Sequence, residues 1–192
     1  MTAGDVPRGA WRYLWLLRHA KTREEPPAGG GDHARVLSPR GRRDADALGR
    51  RLGAGGDRLG LLPLAPIPSL VLCSTAARTV ETADRVLARF DPPPIVLRDR
   101  SIYGASPDEL LEELRVVDAD ADAVMVVAHN PGIHQLAVGM VVPGPASEHL
   151  ARAGMRTSGL IVIGLPVARW LDIGAGCGTL LGEFGPPYGK DD

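Results

Sequence analysis

Two arginines and two histidines stand where apolar runs break off. Arg18 and His19 end the run in "LWLLRHAKT", Arg78 follows "SLVLCSTAA", and His129, with Asn130 behind it, ends "DAVMVVAH". In open parallel sheets, functional groups gather beyond the carboxyl ends of the strands. Helices that start at such places add free N–H groups and a positive dipole end. Two guanidinium groups, two imidazoles and helix N-termini meeting in one pocket would suit a doubly charged tetrahedral anion, namely phosphate.

The same residues imply a reaction. Arginines beside a histidine disfavour its protonated form, so His19 is expected to stay neutral and nucleophilic near pH 7. A neutral imidazole can attack phosphorus in line, while guanidinium groups take up charge on the equatorial oxygens, as Mg²⁺ does in other phosphoryl transfers. A phosphohistidine would form and then be hydrolysed by water. This chemistry calls on no cofactor and no metal. His129 and His134 are spaced i, i+5, which does not place them on one helix face, and there is no HExxH motif. His134 reads as a packed side chain on an apolar helix, and Cys73 as a small buried hydrophobe. The basic cluster Arg40, Arg42 and Arg43, interleaved with Asp44 and Asp46, reads as a solvated helix face.

The positioning elements follow from pattern. "RYLWLL" predicts a first strand, buried on both faces because it does not alternate. A Pro- and Gly-rich loop follows, then a helix opening at Ser38 as N-cap with Pro39 in its first position. "SLVLC" predicts a second strand, and the segment after it a helix with an apolar stripe at Val80, Ala83, Val86 and Leu87. "DPPPIVL" gives a turn and a third strand, "SPDELLEEL" a helix with a capping box from Ser106 to Glu109, and "DAVMVVAH" a fourth strand. "NPGIHQLAVGMV" starts another helix and "SGLIVIGL" another strand. "ARWLDIGAGCGTLLGEF" is expected to form a hairpin around its glycine turn. Strands alternating with helices predict an α/β domain, a three-layer α/β/α sandwich with a mainly parallel sheet.

The whole chain sets the frame. Its 192 residues fit one domain, expected over residues 11–184, with flexible tails at 1–10 and 185–192. Hydrophobic residues make up 44%, enough for a packed core, and the net charge of −1 provides no global field for nucleic acid or membrane. No apolar stretch reaches the roughly 18 residues that span a bilayer. Two isolated cysteines, Cys73 and Cys177, indicate neither a disulfide framework nor a zinc site. A cytoplasmic location is the default expectation, and the oligomeric state is not legible.

"LRHAKT", "STAARTVETA" and "VVAHNPG" together resemble the three signature segments of the histidine phosphatase superfamily, which also contains the phosphoglycerate mutases. Arg-His-Ala-Lys, with "DHARVLSPRG" and "AHNPG", is similar to the small bacterial phosphohistidine phosphatase branch. The resemblance runs from about Tyr13 to Leu181 and implies the phosphoglycerate mutase-like fold. Carried over by position, His19 is the nucleophile, and Arg18, Arg78 and His129 bind the phosphoryl group. His129 also stabilises the transition state. Asn130 and Lys21 would be secondary contacts, and Asp32 and Arg35 would border the pocket.

Mutase-like members place a glutamate after the third strand as general acid. Here that stretch reads "LRDRSIYGASPDELL", and Asp99 is the candidate acid. An imidazole leaving group needs less proton donation than an alkoxide. The gap therefore favours a metal-independent phosphatase acting on a protein-borne phosphohistidine or a small phosphorylated molecule. The alternatives are a sugar-phosphate phosphatase or mutase of the same superfamily, and a catalytically inactive phosphate-binding protein.

Overall fold

The computed structural model describes residues 11–53 and 65–188. Six strands form one sheet: β1 (Arg12–Arg18), β2 (Leu70–Ser74), β3 (Ile95–Asp99), β4 (Ala123–Ala128), β5 (Leu160–Leu165) and β6 (Thr179–Phe184). Their spatial order is β3-β2-β4-β1-β5-β6. The first four run parallel, with β1 beside β4 from Tyr13↔Ala123 to Arg18↔Ala128. β5 runs antiparallel to β1, and β6 antiparallel to β5. The expected three-layer, mainly parallel architecture is therefore present.

The central strands are apolar on both faces because both faces are covered. Leu14 and Leu16 of β1, with Val124, Val126 and Ala128 of β4, belong to one core. That core takes in α3 (Pro107–Arg115), α4 (Gly132–Met140) and α5 (Pro145–Ala153). Trp15, Leu17, Met125 and Val127 point into a second core with α1 (Pro39–Leu52) and α2 (Ala77–Leu87). The predicted stripe of α2 holds at Ala83, Val86 and Leu87, all buried, with Val80 half-buried. Ser38 caps α1 by accepting from the Gly41 N–H, and the capping box at Ser106 and Glu109 is formed.

Four local expectations need correction. The segment Trp170–Asp172 is a short 3₁₀ turn rather than a hairpin strand, and Trp170 is fully buried with its indole N–H on the Ala121 carbonyl. β6 pairs instead with β5, and the glycine turn, with Gly176 at φ +64°, lies just before it. Helix α5 was not foreseen, because "PASEHLARA" carries a single buried side chain, Leu150, and so a faint pattern. The chain beyond Phe184 was expected to be loose, yet Tyr188 is buried and Pro186 accepts a hydrogen bond from Arg156. The expected tails at 1–10 and 189–192 lie outside the described residues, as does the end of "SPRGRRDADALGRRLGAGG", the stretch expected to form the first helix, beyond Gly53.

Two glycines set how closely the elements approach. A Cβ on Gly41 would overlap the Lys21 carbonyl oxygen, two residues past His19. The same carbonyl accepts from the Ser38 N–H at 2.8 Å and the Ser38 hydroxyl at 3.0 Å. Similarly, Gly132 leaves no room for a Cβ against the Ala105 carbonyl. We expect Gly41→Ala to lower stability by about 1–3 kcal/mol, measured by urea unfolding, and to slow catalysis by displacing the loop that follows His19.

Candidate active site

β1 delivers Arg18 and His19 to the carboxyl edge of the sheet, and three neighbours fix the histidine's backbone. The His19 N–H donates to Ala128 O at 3.2 Å, its carbonyl accepts from the Ser158 N–H at 3.1 Å, and the next N–H, of Ala20, donates to Thr82 Oγ1 at 3.0 Å. The Thr82 hydroxyl in turn donates to Arg78 O, so α2 ties the chain at His19 to the turn carrying Arg78. His19 Nδ1 lies 2.8 Å from Ala20 O. A carbonyl only accepts, so Nδ1 carries the proton and the lone pair sits on Nε2.

β4 delivers His129 beside it, with ring centroids 5.2 Å apart. His129 Nε2 is 2.8 Å from Ser74 Oγ, at the end of β2. The Met155 carbonyl, after α5, accepts from both Arg18 Nη1 at 2.6 Å and Asn130 Nδ2 at 3.2 Å. Arg18 Nε, His129 Nδ1 and Asn130 Oδ1 are enclosed without a partner. The walls therefore leave part of their own hydrogen-bonding capacity unused, which is uncommon for buried polar atoms.

Arg78, only 6% exposed, is oriented from the loop before α1. Its Nη1 donates to Asp32 O at 2.6 Å and its Nη2 to Asp32 Oδ2 at 2.9 Å. Arg35 donates to the other carboxylate oxygen of Asp32 and to Thr22 Oγ1. The Tyr103 hydroxyl donates to Asp32 Oδ2 at 2.8 Å. Tyr103 stands edge-on to His129, with centroids 5.4 Å apart, and to His33 at 4.8 Å. His33 Nε2 is 3.0 Å from Thr75 Oγ1.

Arg18, His19, Arg78, His129 and Asn130 thus come together, with Asp32 and Arg35 along one side. Lys21 is used through its backbone carbonyl; its ammonium group is exposed and pairs with nothing among the described residues. Asp99 lies exposed on the edge strand, where its carboxylate accepts from the Ser101 N–H, and this bond holds its pKa below the ordinary value. Ser74, Thr82 and Tyr103 were not singled out from sequence. The first two were inside a quoted motif, as polar residues among buried neighbours. Tyr103 had only its rarity as a signal, in a chain with three tyrosines. Among the described residues no group of three or more His, Cys, Asp or Glu could hold a metal ion. His134 ties α4 to the Leu150 carbonyl, and burial pushes the Cys73 thiol up to about 12.

The electrostatics follow from this packing. Burial, with Arg78, Arg18 and Arg35 adding repulsion, lowers His19 to about 4. Burial, then His19 and Arg78, lowers His129 to about 3. Asp32 is held at about 2, by the Tyr103 hydroxyl first and by Arg35 and Arg78 after it. Both imidazoles are therefore neutral at pH 7 in the folded protein. In the unfolded chain they take up protons near pH 6.5, so stability present above that pH is lost as pH falls towards 4. Between pH 7 and pH 5 we expect a loss of about 1–2 kcal/mol per histidine, and a flatter urea-unfolding profile in a His19→Gln, His129→Gln variant.

Residues 14–100 match the family model described as histidine phosphatase superfamily (branch 1). An uncharacterized protein of Mycobacterium tuberculosis is 32% identical over 173 residues, covering 88% of this chain and 99% of that protein. Among solved structures, a provisionally assigned phosphohistidine phosphatase SixA from Nakamurella multipartitia shares 30% identity with a TM-score of 0.75. That match covers 95% of this chain and 99% of its own. A second provisionally assigned SixA, from Agrobacterium tumefaciens, shares 26% identity with a TM-score of 0.70, over 91% and 98% of the two chains. With the fold, the order of its motifs and these relatives in agreement, the chain belongs to the histidine phosphatase superfamily, and it is a phosphatase.

Proposed function

We propose that the chain hydrolyses phosphohistidine carried on a protein, through a phosphohistidine on His19. In the first step His19 Nε2 forms a bond to phosphorus as the bond to the substrate's imidazole nitrogen breaks; the substrate ring, protonated on its other nitrogen, leaves as neutral imidazole. Arg18 and Arg78 hold the non-bridging oxygens, and His129, its ring 5.2 Å from that of His19, donates a hydrogen bond to the charge that builds on them. Water then attacks the phosphoryl group on His19, releasing phosphate and restoring the neutral ring. Asn130 contacts the phosphoryl group from the start of α4. Arg35 acts through Asp32, and Lys21 lies at the rim.

One observation carries the choice of substrate. No carboxyl group of the site is in a state to give a proton to an alkoxide. Asp32 accepts three hydrogen bonds that keep it ionised, and Asp99 is an exposed carboxylate held ionised by a backbone N–H. An activated leaving group such as imidazole tolerates that lack, whereas a sugar alkoxide does not. The two SixA relatives support the same reading.

A substrate panel tests it: a phosphohistidine protein, phosphoglycerates, other sugar phosphates, nucleotides and an aryl phosphate, each with His19→Ala as control. The phosphohistidine protein and the aryl phosphate should be turned over fastest. His19→Ala should lose at least about a thousandfold in kcat while keeping its fold, and chelators should leave the rate unchanged. Rapid isomerisation of phosphoglycerates would show a mutase. Tight phosphate binding without turnover, and with no label on His19, would show an inactive binding protein.

A further inference from the structure

The segment after β6 reaches the nucleophile through one loop. Tyr188 is buried in the core shared with α1 and α2, and its hydroxyl donates to the Ser158 carbonyl. Ser158 is fully buried and holds φ at +58°, the one described non-glycine residue in that left-handed region. Such a conformation persists in a serine only where its surroundings impose it. Its N–H donates to the His19 carbonyl at 3.1 Å. The same loop takes the Arg18 N–H on Gly159 O at 3.0 Å, and the Arg18 and Asn130 side chains on Met155 O. Arg156, also of this loop, donates to Pro186 O at 3.2 Å. The stretch 186–188 therefore holds the loop at two points, and the loop holds three residues of the site.

We propose that Tyr188 is a positioning residue for phosphoryl transfer: its hydroxyl keeps Ser158 in the left-handed conformation that sets the His19 backbone. The proposal rests on His19 as the nucleophile. The His19 ring is oriented by the Ala20 carbonyl, so a tilt of the intervening peptide swings Nε2 off the line of attack. Arg78 is oriented from Asp32, outside this loop, and the Arg18 and Asn130 side chains are anchored at Met155 rather than at Ser158, so phosphate binding suffers far less from such a tilt than the line of attack does.

The test is steady-state kinetics on an aryl phosphate, with inorganic phosphate as competitive inhibitor, well below the unfolding temperature of each variant. Tyr188→Phe keeps the buried ring and removes only the hydroxyl. We expect kcat to fall about tenfold, with KM and phosphate inhibition close to wild type. Adding Ser158→Gly should restore most of the rate, because glycine adopts positive φ without support. An unchanged kcat in Tyr188→Phe, even with a lower melting temperature, overturns the proposal. A double variant as slow as Tyr188→Phe also overturns it, as does a loss of phosphate binding in step with kcat. His19→Ala, assayed alongside, keeps the two readings apart: full activity there refutes the nucleophile, whereas full activity in Tyr188→Phe refutes only the positioning role of Tyr188.

Discussion

The structure turns on keeping an imidazole neutral while it is surrounded by permanent cations. Arg18, Arg35 and Arg78 all repel a proton from His19, and burial does so more strongly than any of them. Guanidinium groups so placed also repel one another. Asp32 relieves this by accepting from both Arg35 and Arg78. One carboxylate against three arginines leaves the site positive, which suits an incoming dianion better than a neutral cavity would.

The fold meets that constraint by making the backbone rigid around the site. Each strand end is tied to a neighbour that is distant in sequence: His19 to Ala128, Ala20 to Thr82, His129 to Ser74. These bonds cross three strands and a helix. The antiparallel turn of β5 adds to them. A parallel strand in that place would bring its exit to the site, whereas β5 brings its entry, and with it the loop Met155–Gly159. β6 reverses again, so its end, paired to Leu160, returns towards that loop.

Much of this was legible beforehand. Unbroken apolar runs such as "AVMVVA" marked strands covered on both faces, and the residues at their ends marked the pocket, because burial leaves no neutral reason for Arg18 or His129 to be there. What stayed hidden depended on contacts between distant segments. Asp32 and Tyr103 meet across 71 positions, and neither has a local pattern that announces the other. Tyr188 looked like part of a loose polar tail because Gly185 and two prolines precede it, yet its phenol has a buried acceptor waiting at Ser158. Helix α5 escaped because one buried leucine makes no periodicity, although the loop that follows it supplies the carbonyl that holds Arg18.

The positive charge around His19 also bears on how a turnover ends. On the proposed reaction, the positive charge that Arg18, Arg78 and Arg35 place around His19 meets free orthophosphate as it meets the transferred group. Departure of the product would then compete with chemistry for the slow step, and ambient orthophosphate would act as a brake that scales with its own concentration.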